Sequence, residues 1–327
     1  MFTVEELQDK VRTEIQERSE RLHKRKPAEL YLPVEYTLEM GGKRLRPVLL
    51  LMGFNLFSDD IKTAMPAALA IEVFHNFTLL HDDIMDKAEM RRNRPTVHKK
   101  FSENSAILSG DVMSFLSYEY LFEVNSERIQ DVARLFTQTA IEVCEGQQFD
   151  MDFENRLDVT EAEYLEMIKL KTAVLLGCSL KAGALLAGAP DKTASQLYDY
   201  GLNLGLAFQL QDDLLDTFGD QETFGKKIGG DILANKKTYL LVKALEMASE
   251  KQLSELKKWM ESRNFNEDEK INSVKNSYNQ IGIKQLTEDK IESYFNTSAK
   301  ILEEVDVPAA RKQPLEMLGK NMLKRDH

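Results

Sequence analysis

The sequence predicts an all-α protein built as one large helical bundle. Apolar residues recur at helical spacing along most of the 327-residue chain, and no stretch alternates with the two-residue period of a strand. No low-complexity segment divides the chain, so we expect a single domain over residues 1–327. With 43% hydrophobic residues, the chain can bury a substantial core.

The helices are bounded by their apolar spacing and by helix breakers. Pro47 suits a first helical turn, and Pro95 ends any helix that reaches it. Lys171 lies among small and apolar residues that let neighbouring helices approach closely, so its side chain either snorkels outward or meets a buried anion. The charged run 267–270 is interpreted as a solvated face. The expected helices are residues 3–24, 48–57, 65–87, 105–122, 131–144 (running on into 145–152), 161–188, 195–217 and, highly charged, 238 to the end.

Composition excludes several classes of function. Lys and Arg total 43 against 54 for Asp and Glu, a net charge of -11, which argues against nucleic acid or an anionic membrane as the main partner. Two cysteines, Cys144 and Cys178, indicate no disulfide framework and a cytoplasmic protein. The N-terminus lacks the basic and apolar regions of a signal peptide. No uninterrupted apolar run has the length of a membrane span, so none is expected.

Two groups of three aspartates each end an apolar run. On a helix, residues three and four apart share a face, so the carboxylates of each group repel one another unless cations neutralise them. Oxygen ligands favour a hard cation such as Mg²⁺, which takes one or two carboxylates and leaves its other positions to water and phosphates. One such group is usually a solvated acidic turn, whereas two imply a polyphosphate between them. The groups are Asp82, Asp83 and Asp86, and Asp212, Asp213 and Asp216.

Basic segments accompany both groups. A loop of two glycines followed by Lys43 and Arg46 precedes a helix whose N-terminus attracts anions. Arg91 and Arg92 follow the first aspartate group, and arginine forks match phosphate oxygens in pairs. A second loop of glycines and lysines, residues 224–232, follows the second group. The alternatives are a simple helix-start loop for the first segment and surface salt bridges for the arginines.

Taken in order, these motifs resemble those of the trans-isoprenyl diphosphate synthases, the head-to-tail polyprenyl synthetase family. The resemblance spans nearly the whole chain and is closest to short-chain synthases. It implies the isoprenoid synthase fold, an all-α bundle of antiparallel helices around a central cavity, usually assembled as a homodimer. The motifs are Gly42-Lys43-x-x-Arg46-Pro47, Asp82-Asp83-x-x-Asp86 with Arg91-Arg92, Gly110-Asp111, Gly146-Gln147-x-x-Asp150, Lys171-Thr172, Phe208-Gln209-x-x-Asp212-Asp213-x-x-Asp216 and Gly225-Lys226-Lys227-x-Gly229-x-Asp231.

The resemblance implies that isopentenyl diphosphate condenses with an allylic diphosphate. It implies Mg²⁺ as the cofactor, about three ions in each active site with Mn²⁺ able to replace them, because hard divalent ions suit carboxylate and phosphate oxygens. The implied roles are metal binding by Asp82, Asp83, Asp86, Asp212 and Asp216; contact with the allylic diphosphate by Arg91, Lys171 and Lys226 or Lys227; isopentenyl diphosphate binding by Gly42, Lys43, Arg46, His75 and Arg92; dipoles toward the carbocation from Thr172 and Gln209; and closure of a lid by Lys236.

Product length is expected to depend on the helix that precedes Asp82, where one turn rises about 5.4 Å, roughly one isoprene unit. The large Phe77 beside the small Thr78 resembles geranylgeranyl synthases and predicts a C20 product, with a C15 farnesyl product as the alternative. Met113, Leu116 or Tyr120 could set the floor instead.

Three other functions compete with a synthase. A terpene cyclase shares the all-α fold, but its second metal motif typically mixes Asn, Ser or Thr with Glu. A metal-dependent hydrolase built on His81 and Asp82 needs further histidines, for which only His75 and His98 are candidates. A non-catalytic partner subunit usually has one degraded aspartate motif, and both are intact here.

Overall fold

The all-α prediction is confirmed. A computed structural model describes residues 1–219 and 228–323, and it is 78% helical. The two strands in the described ranges are β1 (Met90–Arg91) and β2 (Arg94–Pro95), which form an antiparallel hairpin. No strand was expected from the sequence, because two residues are too few to show an alternating pattern.

The helices begin and end close to the expected limits. A short 3-10 helix, Ile61–Ala64, precedes α4, and a π-helical turn, Lys169–Ala173, joins α8 to α9. The α-helices are α1 (Val4–Leu22), α2 (Ala28–Glu39), α3 (Leu45–Asn55), α4 (Met65–Met85), α5 (Val97–Lys100), α6 (Glu103–Leu121), α7 (Ile129–Phe153), α8 (Glu161–Ile168), α9 (Val174–Leu186), α10 (Asp191–Phe218), α11 (Gly230–Leu233), α12 (Tyr239–Met247), α13 (Glu250–Glu261), α14 (Glu267–Ile281), α15 (Ile283–Glu304) and α16 (Ala309–Leu323).

Backbone caps explain several of these limits. Thr3 and Thr160 each form a capping box, in which the threonine oxygen accepts from the third helical N–H while that residue's glutamate accepts from the threonine N–H. Gly282, with φ 87°, separates α14 from α15. The region from 238 to the end was expected to be helical and highly charged, and its described part, residues 239–323, forms the five helices α12 to α16. They are separated by capping residues that carry no strong apolar signal.

The chain forms two compact units, each built from three segments. The first unit comprises residues 1–136, 178–195 and 306–314, and the second comprises 137–177, 196–305 and 315–327. A single domain over residues 1–327 stays a prediction.

In the first unit, α4 packs along α6 and against α3. The C-terminal part of α9 lies so close to α3 that a Cβ at Gly183 would overlap the carbonyl oxygen of Leu50. The predicted close approach at small residues is thus confirmed at this crossing. This packing buries residues along much of α4, which carries the first aspartate group.

In the second unit, the core gathers around Tyr164, Leu210 and Leu240, each at most 1% exposed. Lys270 belongs to this interior, at 1% exposure, so the prediction of a solvated face was wrong for this residue. Its Nζ donates to Asn235 Oδ1 at 2.7 Å and to the carbonyl oxygen of Leu233 at 3.3 Å. These acceptors lie 35 or more residues away in sequence, where no local pattern indicates them.

One segment in the described ranges, Ile61–Met85, is long and apolar enough to cross a membrane, with a mean hydropathy of 1.2 over its best window. Of that window, 61% is buried inside the protein. Glu72 and Asn76 on the same helix are buried and hydrogen-bonded, as expected of a core helix with polar partners.

Candidate active site

The first aspartate group closes α4, where Asp82 is half-buried, Asp83 is buried and Asp86 is exposed. Arg91 reaches two of them: its Nε donates to Asp83 Oδ1 at 2.7 Å, and its Nη2 lies 3.3 Å from Asp82 Oδ2. Burial raises the pKa of Asp83 to about 6, while the Arg91 charge opposes that rise. Arg91 therefore neutralises part of the charge that the group concentrates.

The β1–β2 hairpin explains how two adjacent arginines serve different places. Arg92 and Asn93, between the strands, both have positive φ, 52° and 60°, as in the tight turns that suit antiparallel strands. Arg91 turns back to the aspartates, whereas the Arg92 guanidinium donates to the carbonyl oxygen of Gly41. The turn separates two side chains that sequence alone places together.

The loop of residues 41–44, which we call the glycine-lysine loop, has left-handed backbone at Gly41 (φ 79°), Gly42 (φ 118°) and Arg44 (φ 49°). A Cβ at Gly42 would lie 2.8 Å from the Arg92 guanidinium carbon and would displace that side chain, and the φ of Gly42 favours glycine as well. The Lys43 side chain is exposed, and its carbonyl oxygen accepts from Gln8 Nε2 at 2.8 Å.

Next to this loop, Arg46 donates from Nη1 to Nε2 of His75 at 3.0 Å. Burial and the nearby charges of Arg46, Arg92 and Arg91 hold the pKa of His75 well below its usual value. The imidazole is therefore neutral and accepts at Nε2, so it adds no positive charge to this basic surface. The predicted isopentenyl diphosphate residues thus form two contacting pairs in the first unit, Arg46 with His75 and Gly42 with Arg92.

The predicted chain-length residues lie on the turn of α4 above the aspartates. The Phe77 ring packs edge-on against His81, with centroids 4.8 Å apart, and against Phe74 at 5.6 Å. The Thr78 hydroxyl donates to the carbonyl oxygen of His75 at 2.8 Å. The alternative floor residues on α6, Met113, Leu116 and Tyr120, are buried.

The second aspartate group lies near the end of α10, where Asp213 is buried and Asp212 and Asp216 are half-buried. Asp213 accepts from the Tyr164 hydroxyl, from Gln209 Nε2 at 3.1 Å and from the Tyr239 backbone N–H at 3.3 Å. Burial raises its pKa to about 7, and the charge of Asp231 adds to the rise. The middle aspartate of this group is therefore held by neutral donors.

The predicted catalytic residues come together in the second unit. The Thr172 hydroxyl donates to Gln209 Oε1 at 3.1 Å, which continues the chain of hydrogen bonds from Asp213. Lys171 Nζ lies 2.6 Å from Asp150 Oδ2. Of the two alternatives for Lys171, a partly buried anion is the one observed.

A π-helical turn presents Lys171 and Thr172, and such turns are frequent at functional sites. A Cβ at Gly146 would overlap the backbone N of Lys171, so the glycine of the motif Gly146-Gln147-x-x-Asp150 permits the close approach that brings Asp150 to Lys171. Asp150 belongs to this motif, but its role was not predicted from the sequence.

The predicted lid lysine, Lys236, is exposed and follows Asn235, which has a left-handed backbone (φ 53°). Its N–H donates to the carbonyl oxygen of Asp231 at 2.9 Å, and the Asp231 N–H donates to Asp216 Oδ1, also at 2.9 Å. The predicted diphosphate ligands Lys226 and Lys227 lie outside the described residues.

Sequence reasoning missed three buried polar residues. Tyr164 holds Asp213, while Arg44 and Glu72 form an ion pair behind the glycine-lysine loop. Glu72 had a usable signal, since an acid within an apolar helical run needs a partner. Tyr164 and Arg44 had none, because their partners are far away in sequence.

The donor set suits a hard cation. Within 1–219 and 228–323, no three His, Cys, Asp or Glu side chains are placed to hold a metal ion by themselves. The first and last aspartates of each group, which we call the outer aspartates, offer only oxygen ligands; they are Asp82, Asp86, Asp212 and Asp216. Mg²⁺ typically needs one or two carboxylates when a substrate phosphate completes its shell.

A family model for polyprenyl synthetase matches residues 27–278. The chain belongs to this family. Its members act on isoprenyl diphosphates and use divalent metal ions, and the chain is accordingly a prenyltransferase.

Individual relatives of this polyprenyl synthetase are themselves named as prenyl diphosphate synthases. A geranylgeranyl diphosphate synthase from Methanosarcina mazei is 44% identical over 223 residues, which is 68% of this chain and 69% of that one. A geranylfarnesyl diphosphate synthase from Natronomonas pharaonis is 41% identical over 244 residues, 69% and 72% of the two chains. A crystal structure of a geranylgeranyl pyrophosphate synthase superposes with a TM-score of 0.92 at 46% identity, covering 100% of both chains.

Proposed function

We propose that this polyprenyl synthetase condenses isopentenyl diphosphate head to tail with an allylic diphosphate, using Mg²⁺, and releases geranylgeranyl diphosphate. The observation that carries the proposal is the pairing of two unlike sites in the first unit. Lys43, Arg46, neutral His75 and Arg92 offer donors without a metal-binding carboxylate, whereas Asp82 and Asp86 offer carboxylates. A condensation requires two diphosphate substrates, each bound in its own way, whereas a cyclase requires only one diphosphate.

Each group of residues has a part in the chemistry. Bound Mg²⁺ would neutralise the charge that develops on the leaving diphosphate, and both outer aspartate pairs, Asp82 with Asp86 and Asp212 with Asp216, would hold it. Arg91, Lys171 and Lys226 or Lys227 would contact the allylic diphosphate, and Lys236 would close the lid. Such charges would be worth more in a site that excludes water than in solution.

The carbocation left by ionisation needs oxygen dipoles and no nucleophile from the protein. Thr172 and Gln209 share a hydrogen bond, and Gln209 is also tied to Asp213, so neither amide nor hydroxyl is free to rotate. Their oxygens would face the cation until the isopentenyl double bond attacks it. The released diphosphate would then accept the proton that the condensed carbocation loses.

The product assay tests this function. Purified protein with Mg²⁺ and labelled isopentenyl diphosphate is given C5, C10 or C15 allylic primers, and the dephosphorylated alcohols are separated by length. We expect a C20 alcohol and its loss in a chelator. A C15 or C25 main product would correct the length, and cyclic hydrocarbons or no condensation would contradict the function.

Phe77 tests the length determinant. Phe77→Ala removes the ring one turn above the aspartates and should lengthen the main product by one or more isoprene units. Phe74→Leu is the matched control, because Phe74 contacts the Phe77 ring from the buried side of the same helix. Unchanged length in Phe77→Ala would place the floor at Met113, Leu116 or Tyr120.

We further propose a homodimer that pairs through α6. Leu108, Phe115 and Phe122 follow one another at heptad spacing and are 56%, 74% and 64% exposed. Large exposed apolar side chains on one helix face mark an interaction surface. Light scattering should give twice the chain mass, and Phe115→Lys should give monomers; a monomeric native protein would contradict the proposal.

The cytoplasm is the compartment we propose for this enzyme. The chain has only two cysteines, Cys144 and Cys178, too few for a disulfide framework, which fits a reducing environment. Localisation of a tagged protein by fluorescence would test it, and a membrane or secreted signal would contradict it.

A further inference from the structure

Arg44 is buried although it belongs to the glycine-lysine loop. Its side chain is 4% exposed and that of its partner Glu72 is 2% exposed. The guanidinium donates both to the Glu72 carboxylate and to the carbonyl oxygen of Leu38. Two buried charges lose their hydration, and an apolar pair of similar volume is often at least as stable. Stability alone therefore does not account for this pair.

The backbone conformation of Arg44 also indicates a role beyond stability. Its φ of 49° lies in the left-handed region, where glycine is the unstrained residue. A strained non-glycine residue persists when its surroundings hold it, and such strain concentrates at functional sites. Glycine fills the two other left-handed positions of this loop, so the Arg44 side chain is present despite the strain it introduces.

Glu72 connects the loop to the face of α4 that bears His75. Asn76 Nδ2 donates to Glu72 Oε1 at 2.8 Å, so the carboxylate is held from its own helix as well as by Arg44. His75 accepts from Arg46 at 3.0 Å. Two side-chain contacts, Arg44 to Glu72 and Arg46 to His75, therefore fix the start of α3 against α4.

We propose that Arg44, through its ion pair with Glu72, is a positioning residue that sets the affinity for isopentenyl diphosphate without touching it. The pair holds the left-handed turn that aims Lys43 and Arg46, and it places that turn relative to His75. The inference rests on the proposed function, because it assumes that these three side chains bind this substrate.

The test is a comparison of Michaelis constants. In Glu72→Gln, which keeps the shape of the side chain but removes its charge, KM for isopentenyl diphosphate should rise about tenfold or more, since small misplacements of binding groups are costly. KM for the allylic primer should stay near the wild-type value. Arg44→Lys, which keeps the charge but not the two-way hydrogen bonding, should fall in between.

A double variant examines the pair as a unit. Arg44→Met combined with Glu72→Leu should raise KM for isopentenyl diphosphate no more than Arg44→Met alone, because both changes break the same contact. Additive effects would show that the two residues act separately and would overturn the proposal.

Arg18 provides a matched control in the same unit. Its side chain is 12% exposed and pairs with Glu123 at 2.6 Å and with Glu14 at 3.2 Å. Arg18→Met should lower the melting temperature and leave both Michaelis constants unchanged. An equal rise of KM in Arg18→Met, or an unchanged KM in folded Glu72→Gln, would overturn the positioning role. Absence of condensation by the wild-type protein would instead contradict the proposed function.

Discussion

In the first aspartate group the buried carboxylate of Asp83 meets a charged partner, Arg91, whereas in the second the corresponding carboxylate of Asp213 is hydrogen-bonded by neutral donors. Both are the middle aspartates of the same motif, and burial raises the pKa of both, to about 6 for Asp83 and about 7 for Asp213. A shared spacing in sequence therefore specifies the place of the carboxylates but not how their charge is balanced.

In both groups the inner aspartate is more deeply buried than the first outer one. The inner ones, Asp83 and Asp213, are buried, while Asp82 and Asp212 are only half-buried. We infer that the outer carboxylates are the main metal ligands in both groups, and that the inner ones orient their surroundings. The metal role expected for Asp83 stays a prediction.

The largest effect is expected from removing an outer aspartate. Asp82→Ala and Asp212→Ala should each lower kcat by about a thousandfold or more, because each removes charge stabilisation at the leaving diphosphate. Steady-state rates at saturating Mg²⁺ measure this. Asp9 and Asp158 are exposed and pair with surface arginines, so their alanine variants are the controls for the first and the second unit. A loss of rate from only one of the two substitutions would show that the two aspartate groups are not equivalent.

The inner aspartates should differ in how stability depends on pH. Because the folded pKa of Asp213 is raised above its unfolded value, the folded state binds this proton more tightly, and its contribution is lost as pH rises through about 4 to 7. Asp213→Asn should remove that loss, roughly 4 kcal/mol at about 1.4 kcal/mol for each pKa unit.

Urea unfolding of the metal-free protein at pH 5 and pH 8 measures this difference. Asp83→Asn is the comparison variant, and its gain at pH 8 should be smaller, because the folded pKa of Asp83 is about 6. Equal gains from both substitutions would show that Arg91 and the neutral donors balance the two carboxylates equally.

Replacing the charged partner should reduce activity next. Arg91→Met should lower kcat about a hundredfold, by analogy with the loss of one stabilising donor. It should also raise the pKa of Asp83 and so move the acid limb of the rate profile to higher pH. Arg91→Lys should restore part of the rate, because it keeps the charge without the fork; no recovery would show that geometry, rather than charge, matters.

The smallest effect is expected from the neutral partner. Tyr164→Phe removes one of three donors to Asp213 and should lower the free energy of unfolding by about 1–3 kcal/mol at pH 8, where the carboxylate is ionised. At pH 5 the loss should be smaller. Tyr278→Phe is the control, since Tyr278 is also buried in the same unit. If the free energy of unfolding depended on pH equally in both variants, Tyr164 would have no specific effect on Asp213.

Much of the site was predictable because its chemistry is local. Asp82 and Asp86 share a helix face by spacing alone, Pro47 lies in the first turn of α3 as expected, and the ordered motifs identify the family. Gly146 lies inside α7, which runs on to Phe153, in line with the expected continuation into 145–152. An isolated glycine costs a helix only about 1 kcal/mol, and packing offsets that cost.

The sequence by itself determined the helical class, the two aspartate groups and the basic residues that accompany them, because periodicity and spacing act over a few residues. Tertiary structure decided which partner each charge meets: Arg91 with Asp83, Arg92 with Gly41, Lys171 with Asp150 and Arg44 with Glu72. These contacts join residues from 8 to 51 positions apart. Burial then sets the pKa of each carboxylate, since desolvation depends on the packed surroundings and not on the neighbours in the chain.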